Sequence, residues 1–292
     1  MKIKESLGYR VFKVIDIIIL SFVALVCLYP MIYVLFASLS DSSQFMQHSG
    51  LLFKPLGFTL DSYIATTKHP MIVSGYKNTL LVLVGGLAVN MFCTVTGAYV
   101  LASTEFRYRK IVNMLVTFTM LFSGGMVPTY LAVKAYGLLD SYWALVIPTA
   151  INTFNLIIMR TAFAGLPPSL AESARLDGAN DFIIMSRIAL PLCMPTVAVI
   201  VLYYGVQHWN AWFQAMLYLQ SRQKYPLQLI LREILLQNDT SSMTGPGGAD
   251  TIGMSDTVKY AVIIVSTLPI LALYPFLQRY FVKGVMVGAV KG

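Results

Sequence analysis

Residues 166–181 read LPPSLAESARLDGAND, a polar, acidic and glycine-broken stretch set between long apolar runs. Ser169 and Glu172 stand at the S-x-x-E spacing of a capping box, in which a serine hydroxyl takes a free backbone N–H at a helix start and the glutamate returns the bond. Pro167 and Pro168 end the preceding element, so a short helix is expected through LAESARLD. Gly178 is placed to stop it, because glycine enters the positive-φ region of a helix C-cap without a Cβ clash. ANDFIIMSRIALP then has a helical pattern and leads into the next apolar run. A helix, a glycine corner and a second helix make a rigid knob of the kind that seats in a groove of a partner protein.

A second set of polar side chains lies inside apolar sequence. Within QHWNAWFQ, Gln207, Asn210 and Gln214 recur at i, i+3 and i+7, one face of a continuous helix. Polar groups in membrane helices face a bundle interior or a cavity rather than lipid, so these three and Trp209 are candidates to line a solute pathway. Trp209 and Trp212 are either stacking platforms or part of an interfacial aromatic belt. Asn152 and Asn155 share the i, i+3 spacing and either line the same pathway or hydrogen-bond between helices. No catalytic residue is expected: the chain has neither H-E-x-x-H nor G-x-S-x-G, and His208 has no placed nucleophile. His48 and His69 belong to no motif. Cys27, Cys93 and Cys193 show no metal-ligand spacing and read as packing residues.

These groups are positioned by greasy helices. The 292 residues are 57% hydrophobic and 12% charged, against about 25% charged for a soluble domain. The apolar residues fall into runs long enough to cross a bilayer. The expected fold is an all-α polytopic membrane protein with one transmembrane domain of six spans, at about 14–39, 79–102, 111–133, 142–163, 191–219 and 258–281. The basic N-terminus resembles the start of a signal peptide, but its apolar stretch runs to about Leu39 without a small-residue cleavage site and is read as the first span. The net charge of +8 is scattered between spans rather than gathered in a patch, which argues against nucleic acid and for a positive-inside signal. Lys2, Lys4, Arg10 and Lys13, with Arg107, Arg109 and Lys110 of the short loop STEFRYRK, put both termini inside. The knob at 164–190 is then cytoplasmic, while segments 40–78 and 220–257 lie outside. The outer 220–257 segment holds an amphipathic piece, LQLILREILLQ, and a glycine-rich tip, NDTSSMTGPGGADT. Asp16 pairs with Lys13 or reaches the interface. Gly85, Gly86, the run SGGMVP, Pro148, Pro195, Pro269 and Pro275 interrupt the spans, as close-packing sites and kinks or as hinges around a pathway.

ESARLDGANDFIIMSRIALPLCMP resembles the cytoplasmic EAA loop of ATP-binding-cassette importer permeases, whose pattern is Glu-Ala-Ala, then Gly, then Ile-x-Leu-Pro. Glu172, Ser173, Ala174, Gly178, Ile188, Leu190 and Pro191 fill that pattern, with Ser173 in place of the first alanine. Asp177 to Ala179, Pro195 and the ending QRYFVKGVMVGAVKG resemble the carbohydrate-uptake branch. GGMVPTYLAVKAYGLLDSYWALVIP and NLIIMR resemble its Gram-positive-type oligosaccharide permeases. The resemblance implies half of a pore in a bacterial cell membrane, paired with a second homologous permease. It implies that Glu172, Ser173, Ala174, Arg175, Asp177, Gly178 and Ala179 dock onto one of two cytoplasmic ATPases. An extracellular binding protein would deliver an oligosaccharide, neutral or uronate-containing, to a pathway where Trp209 is a candidate stacking surface. The sequence has no G-x-x-x-x-G-K-[ST], so this chain is expected to carry no cofactor, with ATP and Mg on the partner. The alternative is an ion-driven secondary transporter, against which Asp16 is the one clear acid in a span and no internal repeat is seen.

Overall fold

The computed structural model describes residues 7–237 and 256–272. It divides into two units, Met1–His69 with Glu233–Leu268, and Pro70–Arg232 with Pro269–Gly292.

In the first unit, α1 (Leu7–Ser38) carries Arg10, Lys13 and Asp16 near its start and no charge after them, and its large apolar side chains from Val11 to Val26 are exposed. At 1.5 Å per residue it is about 48 Å long, more than the ~30 Å of a hydrocarbon core. An unpartnered apolar helix of that length is stable only in lipid or against another subunit. Two short helices follow, α2 (Ser42–Gln47) and α3 (Asp61–Lys68). Asp41 starts α2 by accepting the N–H groups of Ser43 and Gln44 at 3.1 and 3.2 Å, and the Ser43 hydroxyl, which also donates to it, holds its carboxyl below the ordinary carboxylate range together with these N–H groups. Thr257 ties the unit together, bonding Ser42 at 2.7 Å and Ser62 at 2.9 Å. Tyr33, Phe45 and Tyr260 meet edge to face beside it.

The second unit is organised by α4 (Pro70–Ala102), 33 residues long. The segment 40–78, expected as an outer loop, therefore gives its last residues to a helix that starts at Pro70 rather than Thr79. One face of α4 is buried at every third or fourth position: Gly75, Asn78, Val82, Gly86, Asn90, Thr94, Ala98 and Leu101. That stripe is polar where it is deepest, while Leu80, Leu81, Val84 and Phe92 are exposed. In lipid this is the stable arrangement, because hydrocarbon accepts leucine but cannot satisfy an amide.

The spans expected after α4 are broken. The third is α5 (Arg109–Leu121) and α6 (Met126–Ala135), meeting at 114° across SGG, where Gly125 takes φ of +87°. The fourth is α7 (Trp143–Val146), a 3₁₀ turn at Ile147–Thr149, and α8 (Thr153–Ala164), bent by 52°. After α9 (Pro168–Leu176) come α10 (Asp181–Ile183), a π-helical turn at Ile184–Ala189 and α11 (Leu190–Leu192). The chain then turns 87° at Cys193 into α12 (Met194–Trp209). A further break at Asn210 and Ala211 separates α13 (Trp212–Tyr218), so 191–219 is not the single helix that the sequence suggests. The amphipathic piece is α14 (Leu227–Gln237). A helix α15 covers residues 256–272. The rest of the sixth span, the glycine-rich tip and the C-terminal tail lie outside the described residues.

Each break frees backbone groups, and α4 supplies many of their partners. The Asn90 amide donates to the carbonyls of Thr149 (2.7 Å) and Ala150 (3.0 Å), left open where α7 ends. Its oxygen lies 2.6 Å from Nε2 of His208, which must therefore carry the proton on Nε2. His208 in turn lies against Gly86, where a Cβ would stand 2.7 Å from the ring's Cε1. One turn along, Thr94 bonds the fully buried Tyr204 hydroxyl at 2.8 Å, and that hydroxyl takes the Asn152 N–H at 2.8 Å. At the other end Asn78 donates to the carbonyls of Gln223 and Tyr225 and accepts from Tyr142, while Thr79 accepts the Leu227 N–H. α8 and α12 pack on the polar stripe so formed.

The turn between α6 and α7 is tied separately. Asp140 sits at φ of 55°, a left-handed conformation that aspartate tolerates better than most residues. Its carboxylate accepts the N–H groups of Gln220 and Ser221, the Ser221 hydroxyl at 2.6 Å and the Lys224 ammonium at 2.7 Å. Lys224 and Ser221 hold this carboxyl far below the ordinary carboxylate range.

Two outcomes follow from these ties. Tyr204→Phe strands the Asn152 N–H and lowers the stability of the detergent-solubilised protein by about 1–2 kcal/mol, measured by thermal unfolding. Asp140→Asn lowers the melting temperature at pH 7. Because folding depresses the Asp140 pKa, the wild-type advantage is complete above the ordinary value and is lost progressively as pH falls from there through the depressed folded-state value. The melting temperatures of the two proteins should differ equally from pH 8 to 5 and converge progressively below about pH 4.

Candidate functional site

The knob forms as a helix, a corner and a second helix, although its start differs from the capping-box expectation. α9 begins at Pro168, with Pro167 extended at the N-cap (φ −60°, ψ 129°) and no side-chain cap bond. Proline presets the φ of a first helical residue and has no N–H to satisfy, so it takes the start and leaves Ser169 inside the first turn. The other end matches the expectation. Gly178 adopts φ of +82°, its N–H bonds the Arg175 carbonyl (3.0 Å), and the Ala179 N–H bonds that of Ala174 (2.9 Å). This pair of bonds is a Schellman motif. Asn180 then caps the second helix, its side chain accepting the Ile183 N–H at 2.9 Å.

The corner exposes a defined set of side chains. Glu172, Ser173, Asp177 and Gly178 are exposed, Ala179 is half-buried, and Ala174 is the residue of α9 turned into the protein. Leu176 is 90% exposed at the tip, and Phe182 and Leu170 are also exposed. Sequence reading passed over Leu176. Its signal was a leucine with no apolar neighbour at helical spacing on its own face. An apolar residue so exposed beside charged ones suits a partner's groove better than water.

Arg175 is engaged within the chain. Its guanidinium forms an ion pair with Glu105, in the linker between α4 and α5, and a second with Asp181 at 2.9 Å. The knob and the linker 103–108 therefore lie on the same side of the unit. Behind α9 lies a cavity of about 220 Å³, bordered by Tyr99, Ser103, Phe163, Ala171 and Ile188 among others.

The expected pathway residues are not one group. Asn152 is the N-cap of α8, its side chain accepting the Asn155 N–H at 3.2 Å, and Asn155 is buried. Helix capping accounts for the Asn152 side chain, a role that is neither the pathway lining nor the interhelical bonding expected from the sequence. Gln207 and Asn210 lie at the end of α12, but Gln214 is on α13 beyond the break, so the three share no continuous helical face. The break follows from Asn210, a weak helix former whose N–H still bonds Val206 while Ala211 leaves helical geometry. Gln207 and Gln214 are half-buried and Asn210 is exposed. Trp209 is buried edge-on against Tyr76, with no hydrogen-bond partner for Nε1 among the described residues. Trp212 is the accessible indole, and the Arg232 guanidinium lies 4.6 Å above its ring while donating to Met216 Sδ. Sequence reading missed this pair because twenty residues separate its members.

Comparison with known proteins agrees with this architecture. Residues 94–287 match the family described as binding-protein-dependent transport system inner membrane component. The chain is 43% identical over 283 residues to protein LplC of Bacillus subtilis, covering 97% of this chain and 96% of that one. It is also 43% identical, over 288 residues, to the polygalacturonan/rhamnogalacturonan transport system permease protein YtcP of the same organism, covering 96% and 99%. Among solved structures, a bacterial ABC transporter involved in import of the acidic polysaccharide alginate superposes with a TM-score of 0.88 at 30% identity, over 96% of this chain and 100% of that one. A full-length match in sequence, and a fold in which an exposed two-helix knob interrupts broken membrane helices, lead to one conclusion: the chain belongs to the inner membrane components of binding-protein-dependent transport systems, the permease subunits of ABC importers.

Proposed function

We propose that this permease imports uronate-containing oligosaccharides released from acidic polysaccharides. The observation that carries the substrate reading is Arg232 over Trp212. An indole face suits the apolar face of a pyranose ring, and a guanidinium beside it suits a carboxylate. The similarity to a polygalacturonan/rhamnogalacturonan permease and to an alginate importer supports the same class. Gln207, Asn210 and Gln214 lie in and beside the break that precedes Trp212 and are proposed to meet the sugar hydroxyls.

In this reading the chain pairs with a second, homologous permease. Both termini lie in the cytoplasm, and the knob at 164–190 docks onto one of two cytoplasmic ATPases that bind ATP and Mg. Glu172, Leu176 and Asp177 form the docking surface. Gly178 fixes its corner, with Ser173 and Ala179 beside it. An extracellular binding protein delivers the sugar on the side of Asp140 and α14. Closure of the ATPases moves the knob, and the bent helices turn the pathway from inward-facing to outward-facing. Family membership removes the ion-driven carrier as an alternative.

Uptake into vesicles holding the complete transporter, supplied with binding protein and ATP, tests both parts. Leu176→Asp should reduce the amount of ATPase that copurifies, and Gly178→Val, strained at its positive φ by about 1–3 kcal/mol, should lower uptake by about tenfold or more. Arg232→Gln should lower uptake of oligogalacturonides about tenfold, a loss of roughly 1.4 kcal/mol, with the ATPase still bound. Equal uptake by wild type and Arg232→Gln would sink the acidic-sugar reading.

A further inference from the structure

α9 is loosely seated. Ala174 is its buried residue, and the cavity of about 220 Å³ separates its inner side from the ends of α4 and α8. A force applied to Leu176 or Glu172 therefore meets little packed side chain before it reaches the body of the protein. Close-packed interiors transmit displacement because they cannot be compressed, and a cavity behind a helix removes that property. Held by its covalent ends and by its packing on the π-helical turn at Ile184–Ala189, α9 has space to move towards α4 while α4 and α5 stay in place.

Among the described residues, the Arg175 side chain bridges this gap by ion pairs. Arg175 lies in the last turn of α9 and reaches Glu105 in the α4–α5 linker with one nitrogen and Asp181 at the start of α10 with the other. The guanidinium is planar and its donors are fixed in a fork, so a pair held by two of its nitrogens defines direction as well as distance. The linker it grips continues into α4, whose Asn90 and Thr94 are bonded to the α7–α8 break, to Tyr204 and to His208. We propose that Arg175 is a positioning residue, a latch that makes the α4–α5 hairpin move with α9 and so carries the ATPase stroke past the cavity. The inference rests on α9 being the docked element. It assigns Arg175 an internal task, where the family resemblance alone implied contact with the ATPase.

Each ion pair is partly exposed and adds little to stability alone. The function proposed is direction of motion, so the readout is sugar moved per ATP hydrolysed. The experiment uses the complete transporter in vesicles, with Asp181→Asn as a common background so that a carboxylate placed at 175 meets no repulsion there. Adding Glu105→Arg should lower the transport-to-hydrolysis ratio several-fold, while ATPase copurification and hydrolysis stay at the background level. Adding Arg175→Glu to that protein restores an opposite-charge pair and should return the ratio towards background. An unchanged ratio with Glu105→Arg, or no recovery on the swap, overturns the latch. So does loss of the ATPase from the Glu105→Arg complex. If Leu176→Asp and Gly178→Val also leave uptake intact, the docking of α9 fails as well. If those two abolish uptake while Glu105→Arg does not alter the ratio, the latch alone fails.

Discussion

The donation of one asparagine amide to two carbonyls decides much of this structure. A helix that ends inside hydrocarbon leaves backbone groups that water would satisfy and lipid cannot, so every such break needs a polar side chain aimed at it from a neighbour. Asn90 does this for Thr149 and Ala150, and Tyr204 does it for Asn152, with Thr94 holding the Tyr204 hydroxyl in place. Because two of these partners sit on α4, that helix has to lie beside the break, and α8 and α12 are placed by the same bonds. His208 completes the set from α12 by donating to the Asn90 oxygen. The buried stripe of α4 is accordingly more polar than its outer face, the reverse of a helix in a soluble core.

The breaks themselves suit a transporter. Two of the spans expected from hydropathy are pairs of helices meeting at 52° and 114°, and a turn of 87° joins the second helix of the knob to α12. A straight helix resists bending along its whole length, whereas a break with its open groups bonded to side chains has a place to turn and few bonds to exchange. The 87° turn at Cys193 is where the second helix of the knob passes into α12, so the motion proposed for the knob would reach α12 at a joint already present. The turn between α6 and α7, fastened by Asp140 and Lys224, is built from charge-assisted bonds and resists opening.

Legibility in the sequence varied with the range of the interaction involved. The knob was readable nearly to the residue, since proline, glycine and Asn180 act within a few positions of themselves. The capping box was the exception: two prolines compete with Ser169 for the same helix start, and a pattern scored alone does not see that competition. Spans 1 and 2 were recognisable from composition, but α4 begins at Pro70 because Asn78 and Thr79, polar in a hydropathy profile, are satisfied by the 222–227 segment. The supposed common face of Gln207, Asn210 and Gln214 assumed an unbroken helix, and the turn at Asn210 dissolves it.

By itself, the sequence determined the class of molecule and the form of the two-helix knob. Bilayer thickness, positive charge placement and local cap chemistry all act along the chain and need no fold to be read. Only the tertiary structure decided what the polar residues inside the spans are for. Asn152 caps a helix, Trp209 is buried against Tyr76, Arg175 grips the linker ahead of α5, and Arg232 lies over Trp212. The physical reason is that a polar group in an apolar surrounding is defined by its partner. Those partners lie tens of residues away, brought close by helices whose packing no local pattern records.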